Sequence, residues 1–200
     1  MMHIPHRKAP LTPSILFNFR AHLYLHDSAH LALWCTLLVG FFTFFRTANL
    51  VSHVFDRFSP QLALSRSSVH FNDSGACLTV IRTKTRQAGE TALAVPVPLI
   101  PGSFLCPSTA LQLLLKMVPA PDTFPLFTYP STSNQLTCIT AKSINDDIKH
   151  LASLISLNPQ DFSGHSLRLG GATFAVSQRS FLSFKETGAL ALKCCIYHCL

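Results

Sequence analysis

The stretch LALWCTLLVGFFTFF, residues 31–45, contains no charged side chain and is bounded by His30 and Arg46. A helix without a polar face cannot rest on a surface in water and must be wrapped by the rest of the chain. Crossing a bilayer takes about 20 apolar residues, and this run has 15. It predicts a buried central helix, with the remaining elements arranged around it. Two hundred residues are enough to do this as one domain.

The chain carries 16 Lys and Arg against 9 Asp and Glu, a net charge of +7, although only 12% of its residues are charged. Such a bias favours polyanionic partners, but mild basicity also serves solubility, so charge alone does not choose. The opening MMHIPHRKAP lacks the apolar stretch of a secretory signal. Seven scattered cysteines without a CxxC pair suit reduced thiols inside a cell. The cluster CCIYHC near the end is too crowded for paired zinc ligands, and neither a metal nor a cofactor is expected.

Thr12-Pro13 opens a first helix, and the apolar run forms a second through Phe45. The segments SSVHFND, ACLTVIRTKTR and ETALAVPVPL are rich in β-formers and are separated by Asp73-Ser74-Gly75 and Gln87-Ala88-Gly89, which predicts a small antiparallel meander. Pro96 and Pro98 make its last strand an edge or its end. Pro107 opens a further helix, and VPAPDTFPLFTYPSTSNQ reads as a long loop. Thr140 then caps an amphipathic helix with Ile144, Ile148, Leu151 and Ile155 on one face. A final helix carries FSGHSLRLGGATFA. The expected fold class is α+β, mainly α, with a small antiparallel sheet; residues 1–10 are expected to be a disordered remnant before a domain spanning 11–200.

Four basic residues fall at the junctions of these elements: Arg46, Lys84, His165 and Arg168. Guanidinium groups fork onto phosphate oxygens, and a helix N-terminus aims N–H groups at an anion. His165 and Arg168, three residues apart, are neighbours on a first helical turn. Gly170 and Gly171 each cost about 1 kcal/mol of helix propensity, which fits a position where another backbone comes close. On spacing alone, H-x-x-R is common by chance, and an arginine after an apolar helix ordinarily marks its exit to solvent.

Taken together, LLVGFFTFFRTANLV, LTVIRTKTRQAGETALAVPVP and FSGHSLRLGGATFA resemble, in order and interval, three motifs of the tyrosine recombinase (phage integrase) family, most closely the recombinases of eukaryotic mobile elements. The resemblance spans about residues 10–180. It implies a catalytic domain that binds DNA and breaks and rejoins strands through a 3′-phosphotyrosine, without metal or high-energy cofactor. It implies that Arg46 and Arg168 clamp the scissile phosphate, that His165 bonds the same phosphate or shuttles a proton, and that Lys84 is the acid for the 5′-oxygen. A homo-oligomer on DNA and a nuclear, non-membrane location also follow from it.

The tail FKETGALALKCCIYHCL departs from the family pattern. Gly188 matches, Leu190 stands where Trp or His is usual, and Tyr197 is the candidate nucleophile, one residue short of the usual spacing. Leu169 occupies a place that is often basic. The N-terminal core-binding domain and the last family helix are expected to be absent. The alternative implied by these departures is a DNA-binding remnant that has lost catalysis.

Overall fold

The computed structural model describes residues 7–81 and 92–182 of the chain. The apolar run forms the centre of the molecule as helix α2, Ser28–Thr43, after a short α1, Pro13–Arg20. The first start is capped at Thr12 as the sequence predicts, and the second is capped at Asp27. The Thr12 hydroxyl accepts the Ile15 N–H at 3.2 Å, and one Asp27 carboxylate oxygen accepts both Ala29 and His30 N–H at 2.8 and 3.0 Å. Each cap satisfies donors that the first turn leaves without a helical partner.

Leu31, Leu37, Leu38 and Trp34 of α2 are buried. Each such side chain contributes roughly 1.5–3 kcal/mol on removal from water. Two polar residues are buried with them, and their hydroxyls bond back one turn: Thr36 to the Ala32 carbonyl and Thr43 to that of Val39. The helix ends two residues earlier than expected. Phe44 takes a left-handed conformation, φ 55°, which turns the chain so that Phe45 returns to the core and Arg46 emerges exposed. Among the described residues no helix is long and apolar enough to cross a membrane.

A three-stranded meander forms, with β1 (Val69–Asn72), β2 (Gly75–Val80) and β3 (Leu93–Pro98) antiparallel in that spatial order, and the expected turn at Gln87-Ala88-Gly89 lies outside the described residues. The Asn72 side-chain oxygen accepts the Ser74 N–H at 3.0 Å in the turn, and Gly75 follows at φ 137°, where a side chain would be strained. Pro96 sits opposite Cys77 on β3, an edge strand that tolerates a missing donor. Lys84 lies outside the described residues.

Helix α4, Pro107–Met117, packs on α2, with the Cys35 thiol donating to the Ala110 carbonyl at 3.0 Å. The stretch read as a long loop instead contains a hairpin, β4 (Thr128–Pro130) with β5 (Leu136–Cys138). Strands of three residues, the first of them ending in Pro130, give little local signal. They are set by distant bonds, Leu126 N–H to Leu64 O and Ile139 N–H to Phe127 O. Helix α5, Ala141–Leu154, begins with a reciprocal Thr140–Ser143 capping box and buries Ile144, Ile148 and Leu151, while Ile155 falls just past its end. Helix α6, Gly164–Leu182, completes the described part.

The start of the described chain is tied down rather than loose. Ala9 N–H bonds the Asp161 carbonyl, Lys8 bonds that of Gln160, and Leu11 N–H bonds that of Ser166. Residues 7–10 of the expected disordered remnant therefore lie against the approach to α6.

Candidate nucleic-acid phosphate site

Helix α6 reaches α2 by backbone contact. A Cβ on Gly171 would fall on the Phe41 carbonyl oxygen and lie 2.7 Å from the Phe44 ring, and one on Gly170 would fall on the Leu11 carbonyl. The Gly-Gly pair is thus spent on close approach, on two different neighbours. Buried Leu167, one residue before Arg168, packs from α6 toward Gly40 of α2.

The N-terminus of α6 is fixed at a three-way junction. A Cβ on Gly164 would lie 2.6 Å from the Thr47 hydroxyl oxygen and 3.5 Å from the Asn145 amide oxygen. Thr47 opens α3, the single turn Thr47–Leu50, for which Arg46 stands at the N-cap position. Arg46 and His165 are therefore each one residue from the same Thr47–Gly164 contact. Ser163 and Ser166 close the turn: Ser163 N–H bonds the Ser166 hydroxyl at 3.1 Å and Ser166 N–H the Ser163 carbonyl at 2.9 Å. With the buried Ser166 and Leu167 facing inward, His165 is exposed and Arg168 half-buried.

Among the described residues, the side chains of Arg46, His165 and Arg168 make no hydrogen bond or ion pair. His165 and Arg168 stand near the positive end of the 19-residue α6, and Arg46 precedes Thr47, which lies against Gly164 at that end. Leu169, the residue after Arg168, is exposed and adds no charge. Guanidinium and imidazole groups are the side-chain types that bond phosphate oxygens. Lys84 and Tyr197 both lie outside the described residues.

Two residues at the junction went unmarked in the sequence, Thr47 and Asn145. Asn145 had one faint signal: asparagine is a poor helix former, yet it stands inside the amphipathic α5. Arg66, also unmarked, is buried away from this site, with its Nη2 donating to the Thr128 carbonyl at 3.4 Å and its Nε without a partner.

No protein-family model matches the chain, and no curated protein matches it in sequence. Solved structures do match. The XerH site-specific recombinase bound to difH substrate, in a pre-cleavage complex, is 13% identical, with a TM-score of 0.55 over 95% of this chain and 49% of that one. The post-cleavage complex of XerH with palindromic difH substrate is also 13% identical, with a TM-score of 0.56 over 96% of this chain and 47% of that one. The chain spans about half the length of each. A mainly helical domain with a small antiparallel sheet, it has a tyrosine-recombinase-like catalytic-domain fold.

Proposed function

We propose that this chain binds DNA through a backbone phosphate held by Arg46, His165 and Arg168, and acts in strand breaking and rejoining. The observation that supports the reading is the Thr47–Gly164 contact, between the residue after Arg46 and the residue before His165, more than a hundred positions apart in sequence. The fold shared with DNA-bound recombinases supports it.

In this reading the two arginines fork onto the non-bridging oxygens and His165 bonds the same phosphate. The Tyr197 oxygen attacks phosphorus, the bond to the 5′-oxygen breaks, and Lys84 supplies that oxygen with a proton while the phenolic proton passes to His165. The 3′-phosphotyrosine conserves the bond energy, so a 5′-hydroxyl attacking it rejoins a strand and frees the tyrosine. Homo-oligomers on DNA, an origin in a eukaryotic mobile element and a place in the nucleus belong to the same proposal. A second reading, a DNA-binding remnant without strand cleavage, is favoured by Leu190 and by the short spacing before Tyr197. One residue fewer turns a helical side chain by about 100°, and a misplacement of about 1 Å costs about 100-fold in rate.

A nicked suicide duplex separates the readings. On the first reading a covalent adduct forms, at most a trace because of the short spacing, and Tyr197→Phe abolishes it; on the second the chain binds DNA and no adduct forms. Adduct that survives Tyr197→Phe would refute the assigned nucleophile, and a chain that binds no DNA would refute both readings.

A further inference from the structure

We infer that Asn145 of α5 is a positioning residue for the phosphate site. It touches no anion itself; it holds the turn that carries His165 and Arg168. Its amide oxygen accepts the Gly164 N–H at 2.7 Å, and its amide nitrogen donates to the Ala141 carbonyl at 2.6 Å. The second bond fixes the amide plane on its own helix, so the first is directional. The Gly164 N–H is among the donors that a helix start leaves without an intrahelical partner. An amide from a different helix satisfies it 19 residues away in sequence.

The geometry explains why a glycine precedes His165. A side chain there would meet Thr47 at 2.6 Å and Asn145 at 3.5 Å, so the bare Cα lets both residues lie close to the start of α6. Arg46 is bonded to Thr47 through the chain and His165 to Gly164. Asn145 therefore ties the start of the H-x-x-R turn to α5, at the place where Gly164 lies against Thr47. Without the acceptor, the first turn of α6 can fray or shift while its later turns stay held by Leu167, Gly170 and Gly171.

This inference rests on the phosphate reading, and its test distinguishes the two. Asn145→Ala, Asn145→Gln and Arg168→Ala are compared with the unmodified chain for affinity to a duplex oligonucleotide and for the slope of log affinity against log salt. Hydrogen exchange of the Gly164 amide and thermal melting are recorded alongside. Asn145→Ala is expected to deprotect the Gly164 amide and to weaken DNA binding by about three- to tenfold, the scale of one lost hydrogen bond. Its salt slope should fall toward that of Arg168→Ala, which a purely structural residue would not cause. Asn145→Gln keeps the amide but displaces the oxygen by one methylene, and should behave alike. Asn145→Asp keeps an acceptor for the Gly164 N–H but loses the donor to the Ala141 carbonyl, and should restore only part of the Gly164 protection. If Arg168→Ala lowers affinity and slope while the Ala and Gln variants leave both unchanged, the inference is overturned and the phosphate reading stands. If Arg168→Ala changes neither, the phosphate reading fails and the inference with it.

Discussion

Gly171→Ala sets two effects of opposite sign against each other on one helix. Helix propensity alone predicts a gain of about 1 kcal/mol, because alanine loses less backbone freedom than glycine in a helix interior. The packing predicts the reverse. The new Cβ would coincide with the Phe41 carbonyl oxygen and crowd the Phe44 ring at 2.7 and 2.8 Å. The clash with Phe41 is with backbone, so no rotamer change relieves it, and α6 must move away from α2 by on the order of 1 Å. Overpacking of this kind costs about 1–3 kcal/mol or more, and separation of the helices adds lost contact at Leu167. We expect a net loss of about 2–3 kcal/mol, which lowers Tm by roughly 4–12 °C for a domain of this size. Thermal and urea unfolding followed by circular dichroism measure it. Thr173→Ala, on an exposed position of the same helix, serves as the propensity control and should not fall. A Tm for Gly171→Ala equal to or above that of the unmodified chain would refute the close approach of α6 and α2, and with it the placement of the H-x-x-R turn.

Arg66→Met should raise stability by about 1 kcal/mol in urea unfolding, because burial opposes the charge, Asp122 offsets this only in part, and the Nε lacks a partner; a marked loss would show that the guanidinium holds the hairpin in place. Burial, reinforced by Asp146, pushes the Asp147 carboxyl above its usual range against the opposing pull of His150 and His30. A raised folded value means that Asp147 contributes stability when protonated and loses it as pH rises, so Asp147→Asn should raise Tm near pH 7, with the gain shrinking toward about pH 4; a gain that grows on acidification would reverse the sign. DNA affinity should fall by orders of magnitude between about 50 and 200 mM salt if roughly six or more phosphates are contacted; fluorescence anisotropy showing binding indifferent to salt would contradict a backbone-dominated interface.

Features with a local cause could be read before the structure. The α2 run, the Thr12 and Thr140 caps, the turn at 73–75 and the close approach at Gly170 and Gly171 each depend on residues adjacent in sequence or on a glycine with no other use. Features with distant causes could not. The β4–β5 hairpin is held from the segment around Leu64, and the stop of α2 depends on a non-glycine residue taking a left-handed conformation. For the candidate site, the resemblance to three family motifs marked Arg46, His165 and Arg168, whereas Asn145 announced itself only as a poor helix former. Its role depends on a bond to Gly164 that no spacing rule encodes.

The central claim is that Arg46 and Arg168 hold the same phosphate, and a double-mutant cycle on DNA affinity tests it most directly. Arg46→Ala, Arg168→Ala and the double variant are measured on one duplex at one salt concentration. Side chains that share a ligand couple by about 0.5–3 kcal/mol, whereas distant independent sites add. The account predicts that each single variant weakens binding and that the double variant loses clearly less than the sum of the two. Strictly additive losses, or no loss from either arginine, would contradict it.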